Sequence, residues 1–125
     1  MNTAVKTILI ADDDEDLRLL VQVTLEDPSY RILTAADGCK ALDAVQQHQP
    51  DLLILDWMMP GFTGCEVMTQ LRQNQETLAI PVIMLTAKDG VEGREQMASL
   101  ALAGYLVKPF SPLELIKKVK EVLDS

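Results

Sequence analysis

Five short stretches of the chain consist mostly of apolar or β-branched residues, and each is too short to form a helix of useful length. Such runs predict strands that are buried on both faces of a sheet. The predicted strands are Lys6–Ala11, Tyr30–Ala35, Leu52–Leu55, Ile80–Thr86 and Tyr105–Val107. The third strand runs into the carboxylate of Asp56, and Pro60-Gly61 then breaks the chain into a turn.

The stretches between and after these strands repeat their apolar residues every three or four positions, which predicts amphipathic helices. Four apolar stripes are Leu17, Leu20, Val21 and Leu25; Ala41, Leu42 and Val45; Val67, Met68 and Leu71; and Leu115, Ile116, Val119, Val122 and Leu123. Thr63 with Glu66, and Ser111 with Glu114, match capping boxes at two helix starts. A further helix is predicted within Val91–Leu102, where Gly90 and Gly93 weaken its start.

The alternation of five strands with five helices indicates an α/β protein. Strands that are buried on both faces require a parallel sheet covered by helices on each side. Right-handed crossovers then favour a doubly wound, flavodoxin-like sheet of five strands in the order 2-1-3-4-5. At 125 residues, the chain is predicted to form one domain over residues 1–125, without a linker or repeat.

The composition is typical of a soluble globular protein, with 48% hydrophobic and 24% charged residues. No apolar run approaches the roughly 18 residues of a membrane span, and the start lacks a signal-peptide core, so we expect a cytoplasmic protein. The net charge of −8 argues against nucleic acid or an anionic membrane as a direct partner. Much of that charge is local, because Asp12–Asp16 is an unbroken acidic run.

The cysteines and the histidine indicate no site of their own. Cys39 and Cys65 are too few and too far apart for a metal site, and we expect both thiols to stay reduced. His48, the only histidine, stands between glutamines and is expected to be a solvated residue at a helix end.

The unusual polar residues all fall at the carboxyl ends of predicted strands. They are Asp12 and Asp13 after the first strand, Asp56 after the third, Thr86 at the end of the fourth and Lys108 after the fifth. In a parallel sheet these ends share one edge, so the side chains are expected to converge on a single crevice. Two carboxylates at about 4 Å repel by roughly 4 kcal/mol at an effective dielectric constant of about 20, so a positive charge must offset them.

Mg²⁺ is the economical source of that charge, because it takes oxygen ligands and retains waters that a phosphate can replace. Lys108 supplies a second, fixed positive charge. A site with Mg²⁺, a lysine and a hydroxyl can neutralise a phosphoryl group, and an aspartate can act as the nucleophile and form an aspartyl phosphate. The residues therefore predict a site that accepts a phosphoryl group on a carboxylate.

Four motifs then carry a family resemblance. They are Ile8–Asp14 (ILIADDD), Leu55–Gly61 (LDWMMPG), Leu85–Ala87 (LTA) and Lys108–Phe110 (KPF). Together they strongly resemble the receiver domain of two-component response regulators, over about Lys6 to Leu123. Any one motif alone is weak, whereas four in this order and spacing are highly specific.

The resemblance implies a role for each acidic position. Asp56 would be the phosphoacceptor, receiving a phosphoryl group from a phosphohistidine on a histidine kinase or phosphotransfer protein. Asp12 and Asp13 would hold Mg²⁺ together with Asp56, with Asp13 the more direct of the pair. The backbone carbonyl of Met58 would be a further ligand, which leaves the side chain of Met58 free to vary.

The resemblance also implies a conformational switch. Thr86 would hydrogen-bond the phosphoryl group, Lys108 would pair with it, and the Lys108-Pro109 bond would be cis. Thr86 and Tyr105 would form the switch, the aromatic ring turning inward as the hydroxyl moves toward phosphate. The fourth helix, fifth strand and fifth helix would bind a downstream protein target. Such a domain is a signalling protein and not an enzyme, although it can assist its own phosphoryl transfer and dephosphorylation.

Two departures from the family pattern stand out. Asp14 and Glu15 extend the acidic run, which either strengthens metal attraction or only adds solvated charge. Ala101 occupies a position where many receivers have glycine, inside the apolar segment Leu100–Ala103. We hypothesise that this segment contacts a partner or a second copy of the chain, as in a homodimer formed on phosphorylation.

Three rival functions fit the sequence less well. A flavin binder needs amides and hydroxyls after its first strand to receive a phosphate, and the acidic run would repel it. A hydrolase with Asp56 as nucleophile is disfavoured by Met58, which stands where a second acid would be needed, and by the lack of a cap segment. The complete acidic, threonine and lysine set argues against an unphosphorylated interaction scaffold.

We expect no output domain within the chain, so it is either a free-standing receiver or the receiver fragment of a longer DNA-binding or enzymatic regulator.

Overall fold

A five-stranded parallel sheet forms the centre of the computed structural model, which describes residues 5–59, 61–87 and 102–124. The strands are β1 (Lys6–Ala11), β2 (Tyr30–Ala35), β3 (Leu52–Asp56), β4 (Val82–Thr86) and β5 (Gly104–Val107). Their order is β2-β1-β3-β4-β5, and every neighbouring pair is parallel. The predicted fold class and strand order are therefore confirmed.

Four helices are described around the sheet. They are α1 (Glu15–Thr24), α2 (Gly38–His48), α3 (Gly64–Arg72) and α4 (Pro112–Leu123). The helix α4 is the fifth one predicted from the sequence. The helix predicted within Val91–Leu102 lies outside the described residues, apart from Leu102, which is not helical. None of the helices in the described ranges has the length and apolarity that a membrane crossing requires.

The strand boundaries follow the predicted ones closely, except at β4. That strand was expected to begin at Ile80 but begins at Val82. Pro81 has no amide hydrogen to contribute to the sheet, and the amide of Ile80 donates instead to the carbonyl oxygen of Thr77 in the preceding turn. Strand β5 begins one residue earlier than predicted, at Gly104.

Alternating residues of the central strands pack into two separate cores. Leu53 and Leu55 of β3 join the buried apolar residues of α2 and α3 on one face of the sheet. Leu52 and Ile54 join those of α1 and α4 on the other face. Every residue of β3 and β4 is buried, and each fully buried leucine or isoleucine contributes about 1.5–3 kcal/mol. This two-sided burial explains why both sequences are continuous apolar runs.

The helix starts are fixed by polar side chains at the edge of the sheet. Both predicted capping boxes form, at Thr63 and at Ser111. At the start of α1, the side chain of Asp14 accepts hydrogen bonds from the amides of Asp16 and Leu17. Asp14 is therefore the N-cap of α1, a role that is neither metal attraction nor only solvated charge, the two alternatives predicted for it.

Gly64 begins α3 against the strand end that carries Asp56. A Cβ atom added at Gly64 would lie 2.8 Å from the carbonyl oxygen of Asp56 and 2.9 Å from the Cα of Trp57. The amide of Gly64 also donates to the carbonyl oxygen of Trp57 at 2.8 Å. Because these neighbours are backbone atoms, a rotamer change cannot make room for a side chain. The close approach fixes the end of β3 relative to α3.

We expect Gly64→Ala to lower the free energy of unfolding by about 1–3 kcal/mol, because the added methyl group overpacks a backbone contact. Urea denaturation measures the change. Gly104→Ala is the matched control, since its Cβ would meet only the flexible side chain of Lys118, at 3.0 Å, and should change stability by less than about 1 kcal/mol. Equal losses in the two variants would contradict this account of Gly64.

Candidate functional site

The predicted site residues meet at the carboxyl edge of the sheet. The strand register sets Ala11 beside Leu55, so Asp12 and Asp56 follow at neighbouring strand ends. Thr86 ends β4 beside Val107 of β5, and Lys108 is the next residue. The amide of Lys108 donates to the carbonyl oxygen of Thr86 at 2.7 Å, which ties the two strand ends together. The convergence predicted from the parallel topology is thus found in the structure.

Three carboxylates form a compact cluster at this edge. Asp12, Asp13 and Asp56 each offer one oxygen, and these oxygens all lie within 4.8 Å of one another. Asp12 is 0% exposed and Asp56 is 5% exposed, whereas Asp13 faces solvent. The cluster therefore has two buried members and one at the mouth of the crevice.

Lys108 lies between the two buried carboxylates. Its Nζ is 3.3 Å from Oδ2 of Asp12 and 3.2 Å from Oδ1 of Asp56. The lysine side chain is 30% exposed, so its charge is only partly screened by water. One ammonium group thus pairs with two acids, which leaves the acidic cluster with an excess of negative charge.

This imbalance changes the acidity of Asp56. Burial and the nearby charge of Asp12 raise the pKa of Asp56 from 3.8 to about 6, although Lys108 and the amide of Met58 act in the opposite direction. Burial alone would lower the pKa of Lys108, but the carboxylates of Asp56 and Asp12 outweigh it, so the pKa is raised. The direction of both shifts is that expected for a buried site with too few cations.

Asp12 is held on all sides by hydrogen bonds. Its Oδ1 accepts from the amide of Asp14 at 2.9 Å, and its own amide donates to the carbonyl oxygen of Ala35 at 3.2 Å. Its carbonyl oxygen accepts from Nη1 of Arg18 at 2.8 Å. Arg18 was not among the residues predicted from the sequence. Its position four residues after the N-cap Asp14, beside the acidic loop, is the feature of the sequence that could have identified it.

The predicted switch residues lie on the neighbouring strands β4 and β5. Thr86 is buried, and its hydroxyl donates to the carbonyl oxygen of Ala87 at 3.3 Å. Tyr105 lies on β5 beside Met84 and is 43% exposed. The Lys108-Pro109 peptide bond is cis, as the resemblance implied.

The two residues that follow Asp56 differ in their exposure. Met58 exposes 64% of its surface, and its amide donates to Oδ1 of Asp56 at 3.4 Å. Trp57 is half-buried and packs against the core on the α2–α3 side.

The other residues considered from the sequence lie away from this cluster. His48 is the last residue of α2, as expected, and is half-buried rather than fully solvated. Cys39 and Cys65 are free thiols, the first exposed and the second half-buried. These residues give no sign of a second site.

The donor set fits a hard divalent cation. Carboxylate oxygens are the ligands that Mg²⁺ and Ca²⁺ take in proteins, and a crevice with one exposed carboxylate leaves room for water. A soft metal would require sulfur or imidazole ligands, and neither group occurs in the cluster. The excess negative charge around Lys108 supplies the attraction for such an ion.

Comparison with known proteins supports the family assignment. The response regulator receiver domain matches residues 8–120. The phosphate regulon transcriptional regulatory protein PhoB of Pseudomonas aeruginosa is 41% identical over 118 residues, covering 94% of this chain and 52% of the relative. The alkaline phosphatase synthesis transcriptional regulatory protein PhoP of Bacillus subtilis is 42% identical over 118 residues, covering 94% and 48%. The chain spans about half the length of these curated relatives.

Solved structures give the same family. The chemotaxis response regulator CheY4 of Vibrio cholerae superimposes with a TM-score of 0.88 at 35% identity, covering 96% of this chain and 100% of CheY4. The shared architecture, together with the sequence match over residues 8–120, means that this chain belongs to the receiver-domain family of two-component response regulators.

Proposed function

We propose that the domain is a phosphorylation-dependent signalling switch that accepts a phosphoryl group on Asp56. The observation that carries the proposal is the cluster of Asp12, Asp13 and Asp56 within 4.8 Å, with Lys108 bound to two of its members. A buried cluster of this kind is costly unless a cation joins it. Such a cluster is therefore suited to a site that gains or loses charge when it functions.

Asp12, Asp13 and Asp56, with the carbonyl of Met58, would hold Mg²⁺, which would supply positive charge to the oxygens of an incoming phosphoryl group. The carboxylate of Asp56 attacks the phosphorus of a phosphohistidine on a histidine kinase or phosphotransfer protein. The new O–P bond forms as the P–N bond breaks, and the electron pair leaves with the imidazole, which takes a proton from solvent. Asp56 must be ionised to attack, so its pKa near 6 permits the reaction at neutral pH.

Two further residues would bind the oxygens of the phosphoryl group once it is attached to Asp56. Lys108 already lies 3.2 Å from Oδ1 of Asp56, so its ammonium group can follow the charge from the carboxylate to the phosphoryl oxygens. Thr86 ends the neighbouring strand, and its hydroxyl, now bonded only weakly to the carbonyl of Ala87, can turn toward those oxygens. Movement of Thr86 would free space into which the exposed ring of Tyr105 can turn.

The output surface would be the face formed by β5 and α4, together with the segment before β5. Tyr105 and Leu113 are exposed there by 43% and 77%, so this face can carry a change at Tyr105 to a protein partner. A second copy of the chain is the alternative occupant, and sedimentation of phosphorylated and unphosphorylated protein distinguishes the two. The hypothesis that Leu100–Ala103 contributes stays a prediction, and Leu100 and Ala101 lie outside the described ranges.

The similar proteins have names that indicate two kinds of role, transcriptional regulation and chemotaxis. The output of this chain therefore has to be identified from the proteins that it binds, and not from its similarity to these relatives. Capture experiments with phosphorylated and unphosphorylated protein, together with the full reading frame, separate a free-standing receiver from the receiver of a longer regulator.

The first prediction concerns the phosphoacceptor. With Mg²⁺ and a small phosphodonor, the wild-type protein should gain one phosphoryl group, seen as a mass increase on intact-protein mass spectrometry, and Asp56→Asn should gain none. Asp43→Asn is the matched control, because Asp43 is an exposed acid on α2, and it should be modified like the wild type. Phosphate incorporation that survives Asp56→Asn would show that the assigned acceptor is wrong.

The second prediction concerns the metal. Trp57 is the only tryptophan and follows Asp56 directly, so its fluorescence should change with Mg²⁺. Asp13→Asn should weaken Mg²⁺ binding by at least about tenfold, since loss of a ligand costs no less than loss of an outer partner. Asp16→Asn, which removes an equal charge from the same acidic run but lies outside the cluster, should change it less than about twofold. An unchanged signal across the titration would count against the metal assignment.

The third prediction follows from the pKa of Asp56, which folding raises from 3.8 to about 6. The folded state therefore binds the proton more tightly than the unfolded state, and ionisation of Asp56 destabilises the fold as pH rises from about 4 to about 6. In metal-free buffer, Asp56→Asn should raise the free energy of unfolding by roughly 1–3 kcal/mol above pH 6.5 and have little effect near pH 4. Added Mg²⁺ should reduce the difference in unfolding free energy between Asp56→Asn and the wild type.

Urea denaturation from pH 4 to 7.5, with Asp43→Asn as the control, measures this effect. A stabilisation by Asp56→Asn that is independent of pH would instead indicate a change in packing.

A further inference from the structure

We propose that Arg18 is a positioning residue for the metal site, and that its guanidinium group fixes the peptide plane between Asp12 and Asp13. Through that plane it would set both the affinity of the site for Mg²⁺ and the preference for Mg²⁺ over Ca²⁺. The inference rests on the proposed function, because it assumes that the three-carboxylate cluster holds a divalent cation.

The contact itself is short and well placed. Nη1 of Arg18 donates to the carbonyl oxygen of Asp12 at 2.8 Å, in a partly buried position. Arg18 belongs to the first turns of α1, and its own amide donates to the carbonyl oxygen of Asp14 at 3.0 Å. A rigid helix therefore reaches back six residues to hold the loop that joins it to β1.

The carbonyl oxygen of Asp12 and the amide of Asp13 belong to one planar peptide unit. A hydrogen bond that fixes this carbonyl also fixes the direction in which the chain enters Asp13. The effect falls on Asp13 because Asp12 has other anchors: its Oδ1 accepts from the amide of Asp14 and its Oδ2 pairs with Lys108.

Asp13 lacks anchors of that kind. Within the described ranges, no hydrogen bond or ion pair holds its carboxylate, which is exposed at the mouth of the cluster. Its position relative to Asp12 and Asp56 is consequently set by its backbone alone. Arg18 ties the peptide unit between Asp12 and Asp13 to helix α1.

Arg18 could also act simply as a positive charge near three acids. The two roles make different predictions for different cations. A nearby charge repels Mg²⁺ and Ca²⁺ equally, because both are divalent. A positioning group matters more for Mg²⁺, which demands near-ideal octahedral geometry, than for Ca²⁺, which accepts irregular ligand sets.

The test is a comparison of Mg²⁺ and Ca²⁺ dissociation constants, measured by Trp57 fluorescence and by the metal-dependent shift in unfolding temperature. We expect Arg18→Met to weaken Mg²⁺ binding by about tenfold and Ca²⁺ binding by about twofold, since the flexible Ca²⁺ site tolerates a displaced carboxylate. Arg31→Met is the matched control, because Arg31 is an exposed arginine on the edge strand β2 and its loss changes the net charge equally. Arg31→Met should leave both dissociation constants within about twofold of the wild-type values.

Arg18→Lys provides a second variant in which the net charge is kept. Lysine lacks the rigid, planar fork of arginine, so Mg²⁺ binding should still weaken by about threefold, with the same loss of preference over Ca²⁺. This variant carries the test if Arg18→Met does not fold, which urea denaturation in metal-free buffer establishes.

Each outcome has a distinct meaning. A selective loss of Mg²⁺ affinity in the Arg18 variants supports positioning. Equal losses for both cations in Arg18→Met, with wild-type constants in Arg18→Lys, would overturn it in favour of charge. Wild-type constants in both Arg18 variants would overturn any role at the metal site. A wild-type protein that binds neither cation would overturn the proposed function and this inference together.

Discussion

The site depends on the ion pairs that Lys108 makes with Asp12 and Asp56. Burying two carboxylates at neighbouring strand ends is unfavourable on its own, because both desolvation and mutual repulsion disfavour their charges. The ammonium group at 3.3 Å and 3.2 Å offsets part of that cost. It does not offset all of it, since the pKa of Asp56 remains raised to about 6. The fold therefore holds an acid whose charge is incompletely compensated.

The sheet makes this arrangement possible and also keeps it rigid. Parallel strands bring β1, β3 and β5 to the same edge although their sequences are far apart, and two cores hold the strands from both faces. The close contact of Gly64 with the backbone of Asp56 and Trp57 fixes the strand end. Precise placement matters because the interaction energy of partly buried charges changes more steeply with distance than that of charges in bulk water.

Most of the fold and the main site residues could be predicted from the sequence, for physical reasons. Strands buried on both faces leave continuous apolar runs, and parallel topology then requires their polar ends to converge. The start of β4 was misjudged because Ile80 is apolar yet its amide is used by a turn to Thr77. The role of Asp14 was left open between metal attraction and solvated charge, because an unbroken acidic run does not show which of its carboxylates caps the helix. Arg18 was missed because its partner is a backbone carbonyl, so the contact is marked in the sequence only by the place of Arg18 four residues after Asp14.

The incomplete compensation at Asp56 bears on how a chemical change here can influence the rest of the domain. A site whose charges were fully paired would gain little from binding a metal ion. Here part of the negative charge is unpaired, so a bound metal ion would relieve an unfavourable free energy. A phosphoryl group on Asp56 would instead add negative charge and increase the attraction for Lys108 and for a bound cation. Lys108 bonds to the carbonyl of Thr86 through its amide and to Asp56 through its side chain. A change of charge at Asp56 therefore acts directly on the ends of β4 and β5, the strand that carries Tyr105.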